Sequence, residues 1–383
     1  MSRRPSLVEP KEIRVDARQF EAIVRAHEAF ASGRPGGMRA VPRFIIAHRM
    51  RCDRRLLRDA DFTGADLTGC TFVGTDLSRA SLYCAVLTRC DLRGARLPRA
   101  DLRGATFSGA KLAGANLDEA DMRAAILCAV DAEKGLRRIG AGVRLDGARL
   151  DGVNLEDAVA FNVDFSNCSL RGARLRNANL KNANFTDANL AGVDFTGARI
   201  GGVTFTGAIL TGVDLASLFL TPDQLRTCVV DPTAEARARG ADILRALDKA
   251  ERWIATAGRE GERARLDGLD LRPAGTAFQK RLLGGLSARN VQAIGLDFSG
   301  VQAQGAIFDG ADLRTANFTG ADLRGASFIG AKLSHVLLQD ADTGPLPMPG
   351  GGSRRTRFDR ASLHGTGLSH LASAPPAGKV AAA

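Results

Sequence analysis

A repeat solenoid is the fold class this sequence predicts, on three observations. Every fifth residue from Leu57 to Leu127 is Leu, Phe or, once, Met, beginning Leu57, Phe62, Leu67, Phe72 and Leu77. Two residues before nearly every one stands a small residue, as at Ala60, Ala65, Cys70, Thr75 and Ala80. The same double register returns in a new phase from Leu145 to Leu220, lapsing once at Ala160, and again from Phe298 to Leu338. A period of five fits neither a helical stripe at 3.6 nor a strand alternating at 2. A fixed period over many copies signals stacked repeats.

Stretches such as Ala65-Asp66-Leu67-Thr68-Gly69 and Ala311-Asp312-Leu313-Arg314-Thr315 resemble the pentapeptide-repeat family, whose unit is A(D/N)LXX. The resemblance covers well over half the chain. It implies an all-β solenoid with helical caps, in the form of right-handed quadrilateral β-helices, with one repeat per side and about twenty residues per coil. The large and small positions then point inward and the other three face solvent. Residues twenty apart should stack: Phe165, Phe185 and Phe205 in one ladder, and Phe298 and Phe318 in another beside Phe308 and Phe328. Leu286/Ala288, Val291/Ala293 and Val301/Ala303 exchange large and small while keeping the pair volume, a swap that cores tolerate. Each buried Leu or Phe contributes roughly 1.5–3 kcal/mol, ample for a core of this length. Cys70, Cys90 and Cys168 occupy the small inward position, where a thiol acts as a slightly larger Ala.

The segments outside the period define the remaining parts. Residues 1–39 are expected to form an N-terminal helix and cap: Asp16 can cap a helix carrying Phe20, Ile23, Val24, His27 and Phe30, stopped at Gly33. An uncovered tube end would offer an edge to other chains, which favours a capping role. Pro42, Ala47 and Cys52 share the phase of Leu57, so the first tube is placed at 40–220. It is interrupted at 128–144, where Asp131, Lys134, Arg137 and Arg138 with Gly140 and Gly142 read as a projecting loop. In the branch of the family that protects DNA gyrase from quinolones, such loops contact the enzyme. A passive insertion stands beside that reading, since loops tolerate added length cheaply.

Residues 221–285 read as a helical linker or cap. Thr221-Pro222-Asp223-Gln224-Leu225 resembles the exit segment of many such tubes, and Asp231-Pro232 is placed to start a helix. Ile243, Leu244, Leu247, Ala250 and Ile254 form an apolar face with Trp253 at its edge, ended by Gly258 and Gly261. A docking helix or a homodimer contact is the alternative use of that face. The second tube is placed at 286–370 with a Gly/Pro loop at 343–355, followed by a disordered tail at 371–383. Arg354, Arg355 and Arg357 close that loop, and Phe358, Leu363 and Leu368 return to phase.

Charge and motifs narrow the function. The net charge is +11, yet the repeat blocks carry 12 basic against 10 acidic residues over 50–127, 6 against 8 over 145–220 and 3 against 5 over 296–341. No block is the polyanion that imitation of duplex DNA requires. One Tyr and one Trp leave little platform for stacking single-stranded bases. Gly140-Ala141-Gly142 lacks the rest of a dinucleotide loop, His27-Glu28 lacks a second His at metalloprotease spacing, and the seven Cys show no metal spacing. No apolar run reaches the roughly 18 residues of a membrane helix, and Met1-Ser2-Arg3-Arg4-Pro5 opens no signal peptide.

The sequence therefore points to a cytoplasmic, non-catalytic interaction or scaffold protein with no cofactor, metal or catalytic residues. A modulator of a DNA topoisomerase is the alternative, and a basic nucleic-acid or membrane-surface binder the third. Asp131, Lys134, Arg137, Arg138, Trp253, Arg354, Arg355 and Arg357 are the candidate partner-binding residues for an unidentified protein.

Overall fold

The computed structural model describes residues 13–128 and 143–366. The chain divides at Val230/Asp231 into two compact units, each a solenoid-like β-helix. The repeat becomes structure in the same way in both. Asp61, just before Phe62, forms a parallel β-bridge with Ser81, Ser81 with Asp101, and Asp101 with Asp121. Phe62 N donates to Ser81 O (2.8 Å), and Ser81 N donates back to Ala60 O (2.9 Å). Ala65 N closes the corner onto Phe62 O (3.0 Å). Each wall offers one bridged residue per coil, so the stack contains few strands of any length.

The corners explain a second regularity. The third turn residue has positive φ, as Gly64 does at 64°, the conformation a type II turn requires. Many corners are not glycine: Arg79, Arg89, Arg99 and Glu119 lie at 56–58°. Left-handed backbone costs an L-residue roughly 1–2 kcal/mol. The ladder offsets that cost, because each such N–H donates to the next coil: Arg79 N to Pro98 O (3.0 Å) and Arg99 N to Asp118 O (2.9 Å).

In the first unit, β1 (Ile13–Arg14) pairs parallel with β2 (Ile45–Ile46), and α1 (Ala17–Ala31) lies between them in sequence. The N-cap is Asp16, in a reciprocal capping box with Gln19. Phe20, Val24 and His27 are buried, with the Phe20 ring 6.4 Å from Phe62. Phe30 instead stands 45% exposed. The stripe Phe20–Val24–His27 continues through Ala31, so Phe30 turns off it.

Bridges run from Ile46↔Asp66 to Ile209↔Val229. Lys111 and Arg144 are bridged 33 residues apart instead of 20, and so are the next three pairs through Ile126↔Val159. The ladder thus absorbs thirteen extra residues and returns to a spacing of 20 at Arg144↔Asp164. Most of that interruption lies outside the described residues. The repeat reading to Leu220 overshoots. A 3₁₀ turn at Leu215–Leu218, capped by Asp214, replaces the next wall and leaves Phe219 92% exposed. α2 (Pro222–Thr227), with a Thr221–Gln224 capping box, follows.

The second unit opens with α3 (Ala234–Ala238) and α4 (Gly240–Ala255). Thr233, not Asp231-Pro232, caps the first helix, and Arg239 separates the two. On α4, Ile243, Leu247 and Ala250 are buried, whereas Leu244 is 40% exposed. Three residues of the stripe read as a possible dimer contact are thus buried within the unit, whereas Leu244 is exposed and Ile254 half-buried. The coils start at Arg265↔Ser287 and Asp270↔Gln292, ahead of residue 286. That coil spans 22 residues, because Leu271 and Phe278 are seven apart, which hides it from a search at period five. Ser327 and Arg357 are bridged 30 apart. The ten extra residues include a small antiparallel hairpin, β3 (Leu346–Pro347) with β4 (Ser353–Arg354), where the sequence suggested an irregular Gly/Pro loop.

The expected ladders are present as stacked rings. Phe165–Phe185 centroids lie 4.8 Å apart at 5°, Phe298–Phe318 4.7 Å at 4°, and Phe308–Phe328 5.2 Å at 9°. Leu57, Phe62, Leu67, Phe72, Phe205 and the exchanged pairs of the third block are all buried. Phe358 extends one ladder, 5.3 Å from Phe328. Leu368 lies outside the described residues.

Both long helices dock by one device. Arg55 Nε meets Glu28 (2.7 Å) and its Nη1 meets Glu21 (3.0 Å), while Leu56 N donates to Glu28 Oε1 (3.3 Å). Arg281 Nη1 meets Asp248 (2.6 Å) and Glu251 (2.7 Å), while Leu282 N donates to Glu251 Oε1 (3.2 Å). In each case an arginine on the first coils is held by two helix carboxylates, and the next backbone N–H completes the contact.

Candidate functional site

Most chemistry-bearing side chains are engaged by the architecture. Cys70, Cys90 and Cys168 are free thiols at small inward positions, donating to Ala47 O (2.8 Å), Leu67 O (3.1 Å) and Leu145 O (3.0 Å). Thr75 makes the same bond to Cys52 O with its hydroxyl. Burial pushes the Cys52 and Cys70 thiols up to about 12 and raises Cys90 and Cys168 as well. None of these four is a ready nucleophile.

His27 is buried between two backbone groups: Nε2 lies 2.8 Å from Arg58 O, and Nδ1 accepts from Ala40 N (2.9 Å). Nδ1 can accept only when unprotonated, so this ring is neutral with its proton on Nε2. Desolvation accordingly holds its pKa below the ordinary histidine value. The repeat aspartates serve the coil surface. In Asp91-Leu92-Arg93, Asp101-Leu102-Arg103, Asp121-Met122-Arg123, Asp312-Leu313-Arg314 and Asp322-Leu323-Arg324, the carboxylate pairs with the guanidinium two residues on. Among the described residues no group of three or more His, Cys, Asp or Glu is placed to hold a metal ion.

A different arrangement stands in the second unit. A cleft of about 410 Å³ lies between the C-terminal turn of α4 and the coil wall. Its floor is Leu282, Gly284, Gly285, Gly305 and Ile307. Trp253 and Ile254 of α4 form one side, and Arg354 of the hairpin also lines it. The Arg263 guanidinium lies 4.5 Å over the Trp253 ring, a cation–π contact. The floor is open because its corner residues lack side chains. A methyl at Gly305 would stand 3.6 Å from Leu346 Cδ2 and 3.8 Å from Arg354 Nη1. Neither Arg263 nor Arg354 meets a carboxylate among the described residues, whereas Arg314 and Arg324 on the same coils do.

Of the sequence candidates, Trp253 and Arg354 therefore meet in one cleft. Arg357 pairs with Asp359 (3.0 Å) outside it, and Arg355 is exposed away from the lining. Asp131, Lys134, Arg137 and Arg138 lie outside the described residues. Arg263 and the glycine floor escaped sequence reading. Arg263 sits in a charged run after Gly261 without a motif, and only a Gly at every twentieth position (Gly285, Gly305, Gly325) hints at an unfilled corner.

A family model described as pentapeptide repeats matches the chain in eight copies, over residues 60–97, 85–123, 141–177, 173–212 and 297–341. Among solved structures, the chain is similar to HetL, a pentapeptide repeat protein involved in heterocyst differentiation regulation from the cyanobacterium Nostoc (23% identity, 88% of this chain and 99% of that one, TM-score 0.33). It is also similar to QnrB1, a plasmid-mediated fluoroquinolone resistance protein (17% identity, 51% and 90%, TM-score 0.28). A third is a pentapeptide repeat protein of the Arabidopsis thaliana thylakoid lumen (24% identity, 42% and 82%, TM-score 0.19). No curated protein matches the chain in sequence.

Proposed function

This chain belongs to the pentapeptide-repeat family, and from that premise we propose that it is a non-catalytic interaction or scaffold protein whose β-helices present a binding surface to another protein. The observation that carries this reading is the contrast between paired and unpaired chemistry. Inside the coils, the Cys70, Cys90 and Cys168 thiols, the Thr75 hydroxyl and the buried His27 are hydrogen-bonded to backbone, and aspartates such as Asp91, Asp101 and Asp121 pair with arginines. Around Trp253 the cations are exposed to an open cleft instead. A partner's side chains are the natural complement to such a surface.

In this reading α1 and α4 cap the first coils of their units, held by Arg55 and Arg281, and shield edges that would otherwise recruit strands. The unpaired buried thiols suit a reducing compartment such as the cytoplasm. Affinity capture with the full chain from its native cells, after cross-linking, tests the proposal. A stoichiometric protein partner is expected, and recovery of the chain alone would reject the reading.

A further inference from the structure

We infer that the cleft bounded by Trp253, Arg263 and Arg354 is a recognition site for an acidic segment of a partner protein, in which side-chain carboxylates flank an apolar side chain. This deepens the interaction reading above and rests on it. Three features of the cleft lead to this ligand chemistry.

The first is charge without a partner. On the coils of this unit Arg272, Arg281, Arg289, Arg314 and Arg324 are each matched with a carboxylate, as Arg314 is with Asp312 and Arg281 with Asp248 and Glu251. Arg263 and Arg354 approach from different elements, the segment after α4 and the hairpin, and meet no carboxylate among the described residues. A guanidinium presents a planar fork that matches a carboxylate in bidentate fashion. Arg263 is also stacked on Trp253, which orients the fork and leaves its N–H edge free.

The second is the apolar floor. Leu282, Ile254 and Ile307 line the same space as the two cations. About 410 Å³ falls in the range of sites that enclose a side chain or small group. An apolar side chain fits this floor while its acidic neighbours reach the arginines. A nucleic-acid backbone would meet the two guanidiniums but leave the floor unfilled, and the cleft offers too few cations to track a duplex.

The third is how the space is kept open. Gly284 has no positive φ, and a methyl there would make only ordinary contacts, with Gln304 Oε1 and Ile254 Cδ1 at 3.7 Å and Gln304 O at 3.8 Å. The backbone does not demand glycine at this position. Its absent side chain is what leaves the floor clear.

The test uses the full chain and its only tryptophan, which lines the cleft. Trp253 emission is titrated with a terminally blocked peptide holding glutamates on both sides of a leucine, with its glutamine counterpart, and with a short DNA duplex. A saturable change with the glutamate peptide is expected, at least about ten-fold weaker for the glutamine peptide. Arg354→Gln and Arg263→Gln should each weaken it, and Gly284→Leu should abolish it while leaving the melting curve in place. Absence of a saturable change, equal affinity for the glutamine peptide, equal affinity for the duplex, or binding undiminished in Gly284→Leu would each overturn the inference. Because the titration reads this cleft alone, its failure is distinct from failure of the cross-linking test, which reads partner binding anywhere on the chain.

Discussion

Replacing Ala183 by Leu measures how tightly the inside of the coil stack is specified. Ala183 is fully buried, with Val163 and Val203 one coil before and after it in the same column. Phe185, two residues on, is already stacked 4.8 Å from Phe165 and 5.7 Å from Phe205. The coil spacing cannot expand locally, because Asn184 N donates to Val163 O (2.9 Å) and Thr204 N to Ala183 O (3.1 Å). Extra buried apolar area stabilises only where a void receives it. Here the added isopropyl group must displace rings or break the ladder, so strain outweighs transfer. Overpacking of this kind costs roughly 1–3 kcal/mol. At about 2–4 °C per kcal/mol for a domain of this size, the melting temperature should fall by about 2–12 °C. Arg176→Leu is the outward control. Its side chain is 52% exposed and its nearest carboxylate, Asp194, is 3.9 Å away, so its loss should stay within about 0.5 kcal/mol. Circular dichroism melts of both variants decide the matter. Equal shifts, or a rise for Ala183→Leu, would refute the assignment of this position to a filled interior. Ala316→Leu should behave like Ala183→Leu in the second unit, where Ala316 is equally buried.

Arg55→Ala should cost about 1–3 kcal/mol, since it strips the partner from two half-buried carboxylates. Hydrogen exchange should show the loss first in the amides of α1, and unchanged α1 protection would argue against the docking role. His27 gives a pH signature with a definite sign. Its folded pKa is held below an unfolded value near 6.5, so its contribution is complete above that value and declines as pH falls below it. Urea midpoints measured between about pH 8 and 5.5 should drop, with a shallower slope in His27→Gln; parallel slopes would exclude His27 as the cause. Glu21 and Glu28, lowered chiefly by their hydrogen bonds to Arg55, lose their contribution only in the more acidic window below the ordinary carboxylate range. The near-neutral repeat blocks predict that excess protein leaves gyrase supercoiling and quinolone-trapped cleavage unchanged, and that any duplex binding disappears by physiological salt. Inhibited supercoiling or salt-resistant binding would contradict that.

The sequence by itself determined the coils that keep the period of five. The large and small positions name the buried residues, because a wall one repeat long has room for a single large and a single small side chain, and the period leaves no other register. Asp16 announced its helix for an equally local reason: a cap is a contact between residues three apart. What tertiary structure decided is what the period does not carry. The coil beginning at Arg265 was hidden by two extra residues, and the hairpin at Leu346–Arg354 by ten, yet the ladder closes over both because its bonds depend on stacking rather than on sequence distance. The clamps at Arg55 and Arg281 each join residues about thirty apart and have no local signature. The cleft depends on the tertiary fold most of all. Trp253, Arg263, Gly284 and Arg354 come from a helix, the segment after it, a corner and a hairpin, and only the folded coil wall brings their chemistry to one surface.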